Sequence, residues 1–195
     1  MRDEILQVVS GNHNAHCFGK TSDAQPLLIF PGAFNPLHKG HRKMAAIASM
    51  RFKQQVQYEI AVLNVDKRPL TMEEAEARIT QFNSNEVVWL TRAATFLEKA
   101  HLFSGATFIV GADTAIRFFD QNYYRDEIAR DNATAQLIEK QCRFLIFGRL
   151  LGRNFETAES LPIPEIARQL FISVPMSEFR EDISSTELRR ESECN

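Results

Sequence analysis

The chain has 195 residues, 44% of them hydrophobic and 25% charged, with 8 Gly, 7 Pro and 3 Cys. That composition excludes collagen-like, disordered and disulfide-framework chains and suits one domain with a real core. Balancing 23 Lys and Arg against 25 Asp and Glu gives a formal net charge of -2, so no global basic field recruits nucleic acid.

In chain order, Met1-Arg2-Asp3-Glu4 opens with acidic residues, and Ile5 to Val9 is too short and polar for a signal h-region. No run approaches the roughly 18 apolar residues of a membrane span. Gly11-Asn12-His13-Asn14 and Gly19-Lys20-Thr21-Ser22 read as loop, which makes residues 1–25 an N-terminal arm or the remnant of a linker. Cys17, Cys142 and Cys194 are odd in number and widely spaced, which predicts free thiols in a reducing, cytoplasmic setting.

Short apolar runs follow as strand candidates: Leu27–Phe30, Ile60–Leu63, Val87–Leu90, Phe108–Val110, Phe144–Phe147 and Phe171–Val174. Most lack period-2 alternation, as parallel strands covered on both faces do. Helices fit between them. Arg42 to Lys53 is one. Thr71-Met72-Glu73-Glu74 and Thr95-Phe96-Leu97-Glu98 are capping boxes that open two more, and residues 125–140 form a longer, polar helix. The alternation predicts an α/β domain over residues 26–195. Its form is a Rossmann-like, doubly wound, mainly parallel sheet of five to six strands with helices on both faces. Ligands in such sheets bind at the carboxyl ends of strands, which points to the residues just after Phe30, Leu63, Val110, Phe147 and Val174.

The loop after Phe30 reads Pro31-Gly32-Ala33-Phe34-Asn35-Pro36-Leu37-His38-Lys39-Gly40-His41. Between Pro31 and Lys53 stand five cations (Lys39, Arg42, Lys43, Arg51, Lys53) and no carboxylate. Beside two imidazoles and a helix N-terminus, they predict an anion site. Gly32 lets backbone approach a phosphate, and Gly40 lets the helix start press on a ligand. His38 and His41 are also half of a zinc ligand set, but no third ligand has suitable spacing. Near the C-terminus, Ile183-Ser184-Ser185-Thr186-Glu187-Leu188-Arg189 reads as a capping box opening a short helix. Its three hydroxyls and Arg189 equally make a second phosphate cradle.

The stretch from Gly32 to His41 resembles the first signature of the HxGH nucleotidylyltransferase superfamily, and Ile183 to Arg189 resembles its second. The Phe34-Asn35-Pro36 variant is similar to the nicotinamide/nicotinate mononucleotide adenylyltransferase branch. Val110-Gly111-Ala112-Asp113 matches that branch's tripeptide after the fourth strand. The resemblance covers roughly residues 27–190 and makes 26–195 a nucleotidylyltransferase domain. It implies adenylyl transfer from ATP, with Mg²⁺, to a mononucleotide, releasing pyrophosphate.

By the same resemblance, His38, His41 and Arg189 are the catalytic residues. Gly32, Ala33, Phe34, Asn35, Lys67, Gly111, Asp113, Arg149, Ser184, Ser185 and Thr186 bind nucleotide or phosphate, with no protein-held metal. A solvated loop lysine is the competing reading of Lys67, and Arg149 is open in the same way. Many relatives carry a tryptophan several residues beyond the Gly-x-Asp. Here the stretch from Phe118 to Tyr124 has none, so pyridine stacking falls to Trp89, to Tyr123 or to neither. The partners implied are ATP and a mononucleotide, without nucleic acid or membrane, and self-association is left open. So are another phosphorylated acceptor, CTP as donor, and an ATP-binding module without turnover.

Two decoys fail. Gly19-Lys20-Thr21 mimics the end of a P-loop, but Asn14 stands where the first glycine belongs and no strand precedes it. Class I aminoacyl-tRNA synthetases share His-x-Gly-His, but this chain is too short for an anticodon domain, and Pro175-Met176-Ser177-Glu178 is a poor match to their second motif.

Overall fold

The computed structural model describes residues 1–21, 27–119, 126–152, 154–161, 163–181, 183, 185 and 188–189. Helix α1 (Arg2–Val9) carries Asp3 and Glu4 in its first turn, where the helix dipole favours acids, and buries Ile5 and Val8. There follow β1 (Ala15–Phe18), β2 (Leu28–Pro31), α2 (Lys39–Phe52), β3 (Val56–Ala61), α3 (Met72–Ile79), β4 (Val87–Thr91) and α4 (Phe96–Leu102). The second half runs β5 (Thr107–Gly111), α5 (Ala112–Phe119), α6 (Glu127–Glu139), β6 (Arg143–Phe147), β7 (Arg149–Leu151), β8 (Asn154–Glu156), α7 (Glu165–Arg168) and β9 (Phe171–Val174).

The main sheet has the order β1-β4-β3-β2-β5-β6-β9, with every pair parallel except β1 and β4. The chain winds outward from β2 in one direction and from β5 in the other, so the order reverses between them. A crevice opens at that point. Side chains of one strand serve both faces. Phe108 and Val110 pack with Ala100, Ala115 and Leu137 of α4, α5 and α6. Ile109 packs with Ile5, Met44 and Ala75 of α1, α2 and α3. Two apolar faces explain why the strands read as continuous apolar runs.

The sheet therefore has seven strands rather than five to six. The added one, β1, lies where the sequence suggests an arm or linker remnant, and α1 before it supplies Ile5 and Val8 to the core. Ala15-His16-Cys17-Phe18 has no strand signature of its own. Its extended form comes from pairing with β4, Ala15 opposite Thr91 through Phe18 opposite Val88. Strand β3 also begins four residues before the predicted run, because its polar Gln57 and Glu59 are buried. A small antiparallel hairpin, β7–β8, has no counterpart in the sequence reading. The capping boxes predicted at Thr71 and Thr95 form. Thr71 and Glu74 exchange bonds of 2.9 and 3.2 Å, and Thr95 and Glu98 bonds of 2.8 and 3.2 Å.

Glu59 is 0% exposed and Lys99 6%. The Lys99 ammonium donates to both Glu59 carboxylate oxygens at 2.8 Å and to the Ala93 carbonyl at 2.7 Å. The Thr91 hydroxyl donates to the same carboxylate at 2.5 Å. This network ties β3 to the turn after β4 and to α4. Removing one member leaves the other as an uncompensated buried charge. Lys99→Met is therefore expected to lower unfolding free energy by about 3–5 kcal/mol, measured by urea denaturation, and adding Glu59→Gln is expected to recover part of the loss. A single variant as stable as wild type overturns this role.

Candidate active site

Leaving β2, the Gly32 amide donates to the Glu59 carbonyl at 2.9 Å, and the chain doubles back over itself. A Cβ on Gly32 would lie 2.6 Å from the Phe34 ring, so glycine is required there. Phe34 has φ 43, a conformation seldom taken by a bulky residue, and is 1% exposed. Its ring meets Phe30, Tyr58, Phe82 and His41 edge-on, at centroid distances of 5.0–5.5 Å. Gln81, just beyond α3, donates to the Phe34 carbonyl at 2.8 Å and accepts the Leu37 amide at 2.8 Å. One amide side chain thus holds both shoulders of the loop.

His38 is the N-cap of α2, and His41 lies one turn in. Their rings stack at 3.6 Å and 22°. The His38 backbone N–H donates to His41 Nδ1 at 3.3 Å, which places the proton of the neutral ring on Nε2. Burial, helped by the nearby His38, Arg149 and Arg42 charges, holds the His41 imidazole down at about 3. Burial and Arg149 lower His38 as well. The helix start thus presents uncharged imidazoles, which donate hydrogen bonds and do not ionise near neutrality.

The second motif closes on the first. The Ser185 hydroxyl donates to the Pro36 carbonyl at 3.1 Å, and the Arg189 guanidinium donates to the Asn35 carbonyl. A Cβ on Gly40 would come within 3.1 Å of the His38 ring and of Ile183, so the glycine permits this closure. Ser184 and Thr186 lie outside the described residues.

A cavity of about 270 Å³ sits at this junction. Gly32, Ala33, Phe34, His38, His41, Lys67, Gly111, Asp113, Arg149, Ser185 and Arg189 all line it. Phe34 forms its buried wall, while Lys67 reaches it from the exposed loop after β3. A Cβ on Gly111 would meet the Asp113 carboxylate at 2.5 Å, and Asp113 pairs with Arg149 at 3.4 Å. Asn35 borders a neighbouring cavity of about 520 Å³, which shares Gly32, Lys67, Arg117 and Arg189 with the first. Trp89 reaches neither cavity. Its indole donates to Gln57 at 2.7 Å and packs edge-on against Phe103. Tyr123 lies outside the described residues.

The five cations between Pro31 and Lys53 do not serve the site. Lys39 and Lys43 pair with Glu181 at 3.6 and 3.0 Å, and Arg42 pairs with Glu86 beneath Tyr58 and Phe82. Arg51 donates to the Ser173 carbonyl at 3.2 Å, and Lys53 ends α2 in the left-handed region. None lines either cavity; Lys67, Arg117, Arg149 and Arg189 do. Sequence reasoning missed Gln81, Arg78 and Arg117. Arg117 falls one turn after Asp113 on α5, and that spacing is a readable signal, whereas Gln81 carries none. Among the described residues, no three His, Cys, Asp or Glu side chains converge as a metal-binding group, and no helix is long and apolar enough to cross a membrane.

Residues 29–191 match the family model described as cytidylyltransferase-like. A Schizosaccharomyces pombe protein, provisionally named nicotinamide mononucleotide adenylyltransferase, is 24% identical over 180 residues, which span 85% of this chain and 70% of that protein. The structure of Plasmodium falciparum nicotinic acid mononucleotide adenylyltransferase complexed with NaAD superposes with a TM-score of 0.48 at 18% identity. The match covers 84% of this chain and 82% of that one.

The depressed His41 predicts a pH signature. An unfolded chain protonates His41 near its ordinary 6.5, whereas the folded chain resists until about 3, so this group removes stability as pH falls through that window. Histidine NMR is expected to show a His41 ring that stays neutral from pH 8 to pH 5. A midpoint between 6 and 7 overturns the assignment.

Proposed function

The chain belongs to the cytidylyltransferase-like family, and from that premise we propose that this nucleotidylyltransferase moves the adenylyl group of ATP to nicotinamide or nicotinate mononucleotide. The observation that carries the reading is the junction of the two motifs. Ser185 and Arg189 bond to the backbone of the loop that delivers His38 and His41, at the point where the strand order reverses. Two cavities meet there, sharing Gly32, Lys67, Arg117 and Arg189.

In this reaction the 5′-phosphate of the acceptor attacks the α-phosphorus of ATP in line. A new P–O bond forms, the bond to the β-phosphate oxygen breaks, and pyrophosphate leaves with that electron pair. The acceptor phosphate is already ionised, so no general base is required. Catalysis consists of positioning and of neutralising charge on the transferring group. A neutral His41 with its proton on Nε2 suits that role, since it donates to a phosphate oxygen without gaining or losing a proton. His38 stands beside it, and Arg189, Arg149 and Lys67 supply fixed positive charge. Mg²⁺ supplied with ATP would add charge neutralisation at the phosphates, beside the fixed charge of these side chains.

The test is chromatography of purified chain incubated with Mg²⁺, ATP or CTP, and each mononucleotide. Dinucleotide and pyrophosphate are expected with ATP, and absence of dinucleotide with both acceptors overturns the proposal. His41→Ala is expected to lower kcat by roughly 10²–10³ with little change in ATP affinity. A variant that turns over near the wild-type rate removes His41 from the mechanism.

A further inference from the structure

The second cavity holds a cation that neither motif accounts for. Arg78 stands in the last turn of α3, three residues before the Gln81 that grips the Phe34–Leu37 loop. It is half-buried and lines the cavity, yet its guanidinium makes no hydrogen bond or ion pair among the described residues. Burial lowers its pKa; Glu74 acts in the opposite direction, while Arg189 and Arg68 repel its charge and lower the pKa further.

Glu74 is near enough to attract Arg78, but both its oxygens are taken by Arg68, at 2.8 and 2.9 Å. Glu59 on the same wall is committed to Lys99. Lys67 and Arg117 line the cavity too, likewise with no hydrogen bond or ion pair among the described residues. A half-buried guanidinium among like charges is costly to maintain unless an anion completes the site. Its planar fork matches two phosphoryl oxygens at once.

We propose that Arg78 is a further substrate-binding residue, whose guanidinium grips a phosphoryl group in the second cavity beside Asn35 and Arg189. It deepens the reading of the chain as a nucleotidylyltransferase and rests on it, because that chemistry brings phosphoryl groups from two sources. One is the pyrophosphate end of ATP and the other is the phosphate of the acceptor. In both cases Arg78 serves the second cavity, from α3, outside the two motifs.

The experiment titrates inorganic pyrophosphate and nicotinamide mononucleotide separately into wild type, Arg78→Gln and Arg78→Lys, following the melting temperature and the heat of binding. Two charge-assisted hydrogen bonds predict roughly 10–100-fold weaker binding of one probe to Arg78→Gln, with Arg78→Lys between it and wild type. Loss confined to pyrophosphate assigns Arg78 to the nucleotide, and loss confined to the mononucleotide assigns it to the acceptor; either supports the proposal. Without ligand, Arg78→Gln is expected to melt no lower than wild type, since an unpaired charge has been relieved. Unchanged binding of both probes overturns the proposal. So does a ligand-free melting temperature that falls in Arg78→Gln and recovers in Arg78→Lys without a binding defect. These readouts need no turnover. A chain that makes no dinucleotide but binds a probe through Arg78 loses the activity and keeps the anion seat. An active chain indifferent to Arg78 does the reverse.

Discussion

The site depends on one inward turn of the chain, the insertion of Phe34 beneath the end of β2. A bulky side chain at φ 43 carries strain of about 1–3 kcal/mol. Burial of the ring among Phe30, Tyr58, Phe82 and His41 offsets it, since burying a phenylalanine contributes about 1.5–3 kcal/mol and edge-on aromatic contacts add to that. The same insertion forces glycine at position 32 and turns the Phe34 carbonyl to Gln81. It also supplies the apolar wall that keeps His41 neutral. Backbone strain, packing and the protonation state of the histidine are therefore one arrangement.

The electrostatics divide between scaffold and site. Cations along α2 are neutralised by acids from elsewhere: Glu181 reaches back to Lys39 and Lys43, and Glu86 holds Arg42. These contacts fasten the helix to the region near the second motif and to the turn before β4. Surface pairs of this kind contribute little stability one by one, so their main consequence is register between the motifs. The charges facing the cavities come instead from the loop after β3, from α3, from α5, from β7 and from the second motif. They are spread along the sequence, and a window of residues cannot reveal them as a cluster.

The first motif was legible because its residue types are tied to local geometry: glycines where a Cβ would collide, and a histidine at a helix N-cap. The two capping boxes were legible for the same reason. Strand β1 was not, since Ala15–Phe18 is extended only because β4 offers it a partner. The start of β3 was hidden by Glu59, whose charge looks solvent-seeking until Lys99, forty positions on, comes beside it. Arg42 shows the reverse error. A cation next to His41 in sequence points away from the cavity in space, because one step along a helix turns the side chain by about 100°. Gln81 had no local signature, and its role exists only through the loop folded against α3.

The sheet order gives the two cavities different foundations. On one side, β3, β4 and α4 are bound by the buried Glu59–Lys99 network, which reaches the Ala93 carbonyl in the turn after β4. On the other, β5 and β6 deliver Gly111, Asp113 and Arg149, joined by a pair at 3.4 Å that is about one-third exposed. The first foundation is rigid, because a dry ionic network has no competing partner. The second is adjustable, because water competes for both ends of the partly exposed Asp113–Arg149 pair. Strand β2 runs between them and ends in the loop that carries both histidines. A stiff wall on the β3–β4 side and a looser one on the β5–β6 side therefore flank the loop that fixes His41.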